Sequence, residues 1–171
     1  MSGWPGRVLL SQIRDGDRIE AEADEAERAA IAERLRLSAL HRLEAVATLT
    51  RDGEAIHAEG RLRAALAQPC IATGDPVEAS VDERFSLRFL PEPKAGADDE
   101  IELGDDDLDT VFHDGAAIEL GDALADTLAL GLDPYPRSAG ADAALKAAGV
   151  MSEEEAGPFA GLAALKDKLR G

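Results

Sequence analysis

Apolar positions along the chain follow two periods, and the change from one to the other marks its elements. From about Ala55 to Ala67, Ile56, Ala58, Gly60, Leu62, Ala64 and Leu66 alternate with His57, Glu59, Arg61 and Arg63. A period of two buries one face of a strand and wets the other. Leu43 to Arg51 precedes it as a partner strand, and the intervening Asp52-Gly53 is a strong two-residue hairpin signal. Gln68-Pro69 ends the return strand, because proline has no N–H to give a ladder. Val77 to Leu90 repeats the alternation, with Val77, Ala79, Val81, Phe85, Leu87 and Phe89 on the apolar face. Glu83 falls in that apolar register and points to a bulge or a frayed position. Pro91 and Pro93 stop the strand.

Two stretches carry the helical period. Asp24 can cap a helix running to about Leu37, with Glu27 in the capping-box position. Ala30, Ile31, Leu35 and Leu37 supply its apolar side. Leu120 to Leu132 is the second helix, with Leu120, Leu124, Leu128 and either Leu130 or Leu132 as its stripe. Asp133-Pro134 ends it, since the residue before a proline is driven out of the helical region. Arg7 to Ile13 reads as a short strand before the Asp15-Gly16 turn. Asp109 to His113 and Ala116 to Ile118 can pair around Asp114-Gly115, and Ile101-Glu102-Leu103 can form a short edge strand. Phe159, Leu162, Leu165 and Leu169 give the end of the chain a weak helical pattern.

These elements predict an α+β protein: an antiparallel β-sheet, open or barrel-like, packed by two main helices, with a partly flexible C-terminal tail. Residues 1–136 form one domain with an acidic loop at about 92–109, and 137–171 form an Ala/Gly-rich tail with a short terminal helix. With 171 residues and 4% aromatic content, the core is expected from Leu, Val, Ile and Ala, with Phe85, Phe89, Phe112 and Trp4 as its large pieces.

Charge alters the picture. The net charge is −17, and residues 92–126 hold 13 acidic side chains against the single Lys94. Such a field repels phosphate backbones and anionic lipid and attracts basic proteins. Binding to nucleic acid draws on Lys and Arg displacing counterions, and this stretch has almost none to offer. No leader-like start and no apolar run near the ~20 residues of a membrane span is visible, so the cytoplasm is the expected compartment.

Candidate chemistry is sparse. His41, His57 and His113 are widely separated, and His57 falls on a polar strand face, where solvent exposure is expected. Asp105, Asp106, Asp107 and Asp109 lack the glycine and glutamate spacing of a calcium loop. The single Cys70 can form neither an internal disulfide nor a cysteine-based zinc site, and reads as a half-buried structural thiol. Gly74, Gly104 and Gly121 are isolated and make no phosphate-cradling loop. No catalytic residue, cofactor or metal is therefore expected. Arg61, Arg63, Arg84 and Arg88 share polar strand faces and could form an RNA-binding patch, although Glu59, Glu78 and Asp82 share those faces too.

Three segments resemble the YceD family of large ribosomal RNA subunit accumulation proteins. One is Gln68-Pro69-Cys70-Ile71-Ala72-Thr73-Gly74-Asp75-Pro76-Val77 with the alternating strand that follows. The next is Ile118-Glu119-Leu120-Gly121-Asp122-Ala123-Leu124-Ala125-Asp126-Thr127-Leu128, similar to the family's entry into its C-terminal helix. The last is Leu130-Gly131-Leu132-Asp133-Pro134-Tyr135-Pro136-Arg137, similar to its proline-rich exit, and Pro158 to Lys166 also fits. Many members carry Cys-x-x-Cys where this chain has Cys70 and Thr73, a departure that resembles the alphaproteobacterial branch and removes any inference of zinc.

The resemblance implies a non-enzymatic part in 23S ribosomal RNA accumulation or processing and in large-subunit assembly. The expected partner is a basic large-subunit ribosomal protein or a pre-ribosomal particle, held through Asp105, Asp106, Asp107 and Asp109. Ribosomal RNA is then touched indirectly, and no membrane is involved. The rival reading is direct RNA binding through Arg61, Arg63, Arg84 and Arg88. A hydrolase or metal enzyme is the third.

Overall fold

The computed structural model describes residues 3–93 and 109–151. The chain divides into two compact units. The larger comprises Met1–Gln68 and Glu78–Pro134, and the smaller Pro69–Val77 and Tyr135–Gly171.

The larger unit is built on an open five-stranded sheet in the order β2-β3-β4-β5-β6. Strands β3 (Ala39–Asp52), β4 (Ala55–Pro69) and β5 (Pro76–Pro91) are its long members. The Asp52-Gly53 signal is realised: Asp52 pairs with Ala55 across the β3–β4 turn, and Gly53 takes φ 61°, a conformation that favours glycine. The alternation is realised too. Leu43, Leu49, Ile56, Leu62, Leu66 and Phe89 lie fully buried on the inner face. Each fully buried Leu, Ile or Phe contributes roughly 1.5–3 kcal/mol relative to exposure. Gly60 serves close packing, because a Cβ there would fall 1.9 Å from the Val46 carbonyl oxygen and 2.9 Å from Phe85 Cζ. The expected bulge in β5 is replaced by a rim position, where an added Cβ at Gly131 would stand 3.2 Å from Glu83 Cγ. The sheet's printed irregularity lies instead in β3, between Leu40 and Arg42.

Both main helices form where expected. In α1 (Glu25–Leu35), Asp24 accepts from the Glu27 amide, while the Glu27 carboxylate accepts from the Asp24 amide. It stops at Arg36, in the left-handed region with φ 55°, so Leu37 lies past the helix yet packs on the core. Helix α2 (Leu120–Leu130) buries Leu120, Leu124 and Leu128. Leu130 is 83% exposed, and Leu132 takes its place against the core.

Several local expectations are corrected. The first strand, β1, covers only Arg7–Leu9 and gives way to a 3-10 turn at Leu10–Gln12. An unexpected strand, β2 (Asp17–Glu22), pairs antiparallel with β3. Its single apolar pair, Ile19 and Ala21, is too short a pattern to read locally. The hairpin around Asp114-Gly115 does not form as a ladder. Strand β6 (Thr110–His113) runs parallel to β5, and β7 (Ala117–Glu119) pairs with β1. Phe112 is consequently 43% exposed rather than a core residue. The Ile101–Leu103 strand and the Phe159–Leu169 helix lie outside the described residues.

In the smaller unit, the loop after β4 is closed by Cys70 N–H donating to the Asp75 carbonyl and Gly74 N–H donating to the Cys70 carbonyl, each at 2.8 Å. A short helix not foreseen from the sequence, α3 (Ala141–Ala147), belongs to the same unit.

Candidate functional site

Two charged regions and one thiol carry the chemistry. On the outer sheet face, β4 presents Arg61 and Arg63 two residues apart. Arg61 grips Asp82 of β5 through Nε and Nη2, and Arg63 lies 3.5 Å from the same carboxylate and 4.0 Å from Glu44. The Arg61 hydrogen bond holds the Asp82 carboxyl below the usual carboxylate range, and the guanidinium is held more firmly protonated in return. Arg42 bonds Glu44 at 2.6 Å, and Arg18 bonds Glu20 at 2.9 Å. A groove of about 350 Å³ crosses this face, with Arg18, Glu20, Glu44, Arg61 and Arg63 around the half-exposed Val46. Cross-strand pairing has thus placed an acid beside each cation of the groove. The four arginines of the expected patch are not one cluster there: Arg84 lines a different groove on β5, and Arg88 is engaged in a separate contact.

The second region is acidic. Of its expected residues, Asp105, Asp106 and Asp107 lie outside the described residues, while Asp109 is exposed immediately before β6. The acidic side chains further on are matched by cations from the N-terminal third of the chain. Asp114 meets Arg7 at 2.5 Å, Glu119 meets Arg7 at 3.7 Å, and Asp122 and Asp126 meet Arg34 at 2.8 and 2.6 Å. Asp114 also accepts from the Ala116 and Ala117 amides, which hold its carboxyl below the ordinary range, and Arg7 adds to the effect. Within the stretch 92–109 itself, nine acids face one Lys94 in the sequence.

Cys70 differs from its expectation. It is buried at 3% exposure rather than half-buried. The Ser138 hydroxyl and amide donate to its sulfur at 3.4 and 3.3 Å. With help from Thr73 and the Ala72 amide, they bring the thiol down to about 6. Ser138 lies 68 residues away, so no local pattern signals the contact. His57 is half-buried rather than exposed. His113 is buried, with Nε2 placed to donate to the Glu54 carbonyl while Nδ1 accepts from the Gly115 amide. Among the described residues, no three His, Cys, Asp or Glu side chains come together as a ligand set. No helix among them is long and apolar enough to cross a membrane.

Fold and charge define an acidic α+β protein whose surface chemistry is dominated by ion pairing. A family model described as "Large ribosomal RNA subunit accumulation protein YceD" matches residues 58–166, and the chain belongs to that family. The match begins within β4 and takes in the whole acidic stretch, while Arg7 and Arg34 lie before it. Searches of curated proteins and of solved structures gave no match.

Proposed function

We propose that the chain acts in large-subunit ribosomal RNA accumulation as a non-enzymatic cytoplasmic assembly factor that captures a basic ribosomal protein through residues 92–109. The family name supplies the process. The observation that carries the mechanism is the distribution of counter-charges. The acids at 114, 119, 122 and 126 are neutralised by Arg7 and Arg34, whereas the sequence from 92 to 109 has a net charge of −8. A polyanionic segment offers a basic protein the charge it otherwise finds on RNA, chiefly speeding encounter and selecting partners. Direct RNA binding through the outer face is less favoured, because Asp82 and Glu44 already occupy Arg61 and Arg63.

The test replaces Asp105, Asp106, Asp107 and Asp109 by Asn. Association with a basic large-subunit ribosomal protein should slow by roughly tenfold at low ionic strength, and its salt dependence should flatten. Unchanged rates and an unchanged salt slope would show that this stretch is not the contact.

A further inference from the structure

We infer that the free edge of β5, from Glu78 to Leu87, docks an extended lysine- and arginine-rich segment of a partner as an added β-strand. This placement rests on the preceding reading that the partner is basic. Strand β5 is 16 residues long, with β4 on one side. On its other side β6 pairs only with Arg88–Pro91. Among the described residues, no strand continues that ladder along Glu78–Leu87. A long unpaired edge presents a row of amide and carbonyl groups, which another extended chain can satisfy.

The shape of the surface agrees. A groove of about 230 Å³ is lined by five residues in succession, Glu83 to Leu87. Side chains alternate along a strand, so a groove lying over one face would meet every second residue. Contact with all five means that it follows the strand edge. Thr127, Leu130 and Gly131 at the end of α2 line it too, and the exposed Leu130 offers an apolar contact beside the backbone.

Charge selects the occupant. Natural edges are guarded by proline, lysine or an inward-pointing charge. Residues 78–87 contain neither proline nor lysine, but Glu83 lies in the inward register and lines the groove with Asp109. Arg84 is the one cation lining it. A second copy would bring another Glu83 and a further net charge of −17. RNA would bring phosphates and no strand backbone. An extended cationic peptide matches both the open amides and the two acids. The acidic sequence entering Asp109 would attract it from a distance, while the edge would hold it in register.

The test uses the full-length protein and a peptide of about ten residues alternating lysine and valine. A second version carries N-methyl groups on alternate amides, which removes strand-pairing donors and preserves charge. Expected results are saturable binding of the first peptide, loss of roughly tenfold or more on N-methylation, and new hydrogen-exchange protection within residues 78–87. Glu83→Lys should weaken the first peptide by a similar factor while leaving the circular dichroism spectrum unchanged. Absence of binding, equal binding of both peptides, or protection confined elsewhere overturns the inference. Equal binding of both peptides would still leave capture by residues 92–109 intact. Conversely, edge protection alongside undisturbed ribosomal-protein capture by the Asp105, Asp106, Asp107 and Asp109 Asn variant would remove that reading and leave the docking edge.

Discussion

The outer sheet face and the acidic stretch after β5 are both rich in charge, but their counter-charges lie in different places. On the face, Arg61 and Arg63 of β4 find Asp82 one strand away on β5, and Arg63 also approaches Glu44 on β3. Between Asp114 and Asp126, each acid finds an arginine more than 80 positions earlier in the chain. Residues 92–109 carry their excess within one run of sequence, with a single lysine among nine acids. A surface of matched pairs has little net field to offer a partner, since exposed pairs also contribute little to stability. An unmatched run keeps its field, limited chiefly by salt screening.

The largest effect should come from the platform both regions share. Phe89 is fully buried on β5, and Phe89→Ala should cost about 3–5 kcal/mol, read from the denaturant midpoint. A loss below about 1 kcal/mol would mean that β5 does not hold the ion pairs in a fixed geometry. A smaller effect should follow from unmasking the face. Asp82→Asn combined with Glu44→Gln leaves Arg61 and Arg63 without these carboxylates. Non-specific RNA affinity should then rise at low salt, with a log K against log salt slope steeper by about 1–2. A wild-type protein already showing that steep slope would break the contrast between the two regions.

The smallest effect sharpens the comparison with a third case, a charge held by neutral donors. Cys70 should titrate at about 6 in the folded protein, against an ordinary thiol value of 9.0. The folded thiol is the stronger acid, so its contribution to stability is complete above the ordinary value and is lost as pH falls through about 6. Thiolate absorbance in native and denatured protein would measure both midpoints. Ser138→Ala should move the native midpoint upward, and an unmoved midpoint would show that Ser138 is not the cause.

Much of the sheet was legible from local pattern. The alternation of Leu62, Ala64 and Leu66, the Asp52-Gly53 turn and the Asp24–Glu27 capping box are relations between residues at most four apart. Side-chain period and turn chemistry act over that range, so β3, β4, β5, α1 and α2 appear close to where they were expected. The acidic stretch was legible for the same reason, because composition is local and survives any fold.

The remainder depends on which distant segments become neighbours. No short pattern tells Thr110–His113 to lie parallel to β5 instead of folding back on Ala117–Glu119, or leaves Phe112 half-exposed as a result. Strand register placed Arg61 beside Asp82, so an apparent basic patch became a set of ion pairs. The approach of Ser138 turned an unremarkable cysteine into an acidic thiol. Period, turns and total charge are properties of the chain and are already present in its sequence. Hydrogen-bond partners, counter-ions and an open strand edge are properties of proximity, and arise only when tertiary packing brings remote residues within a few ångströms.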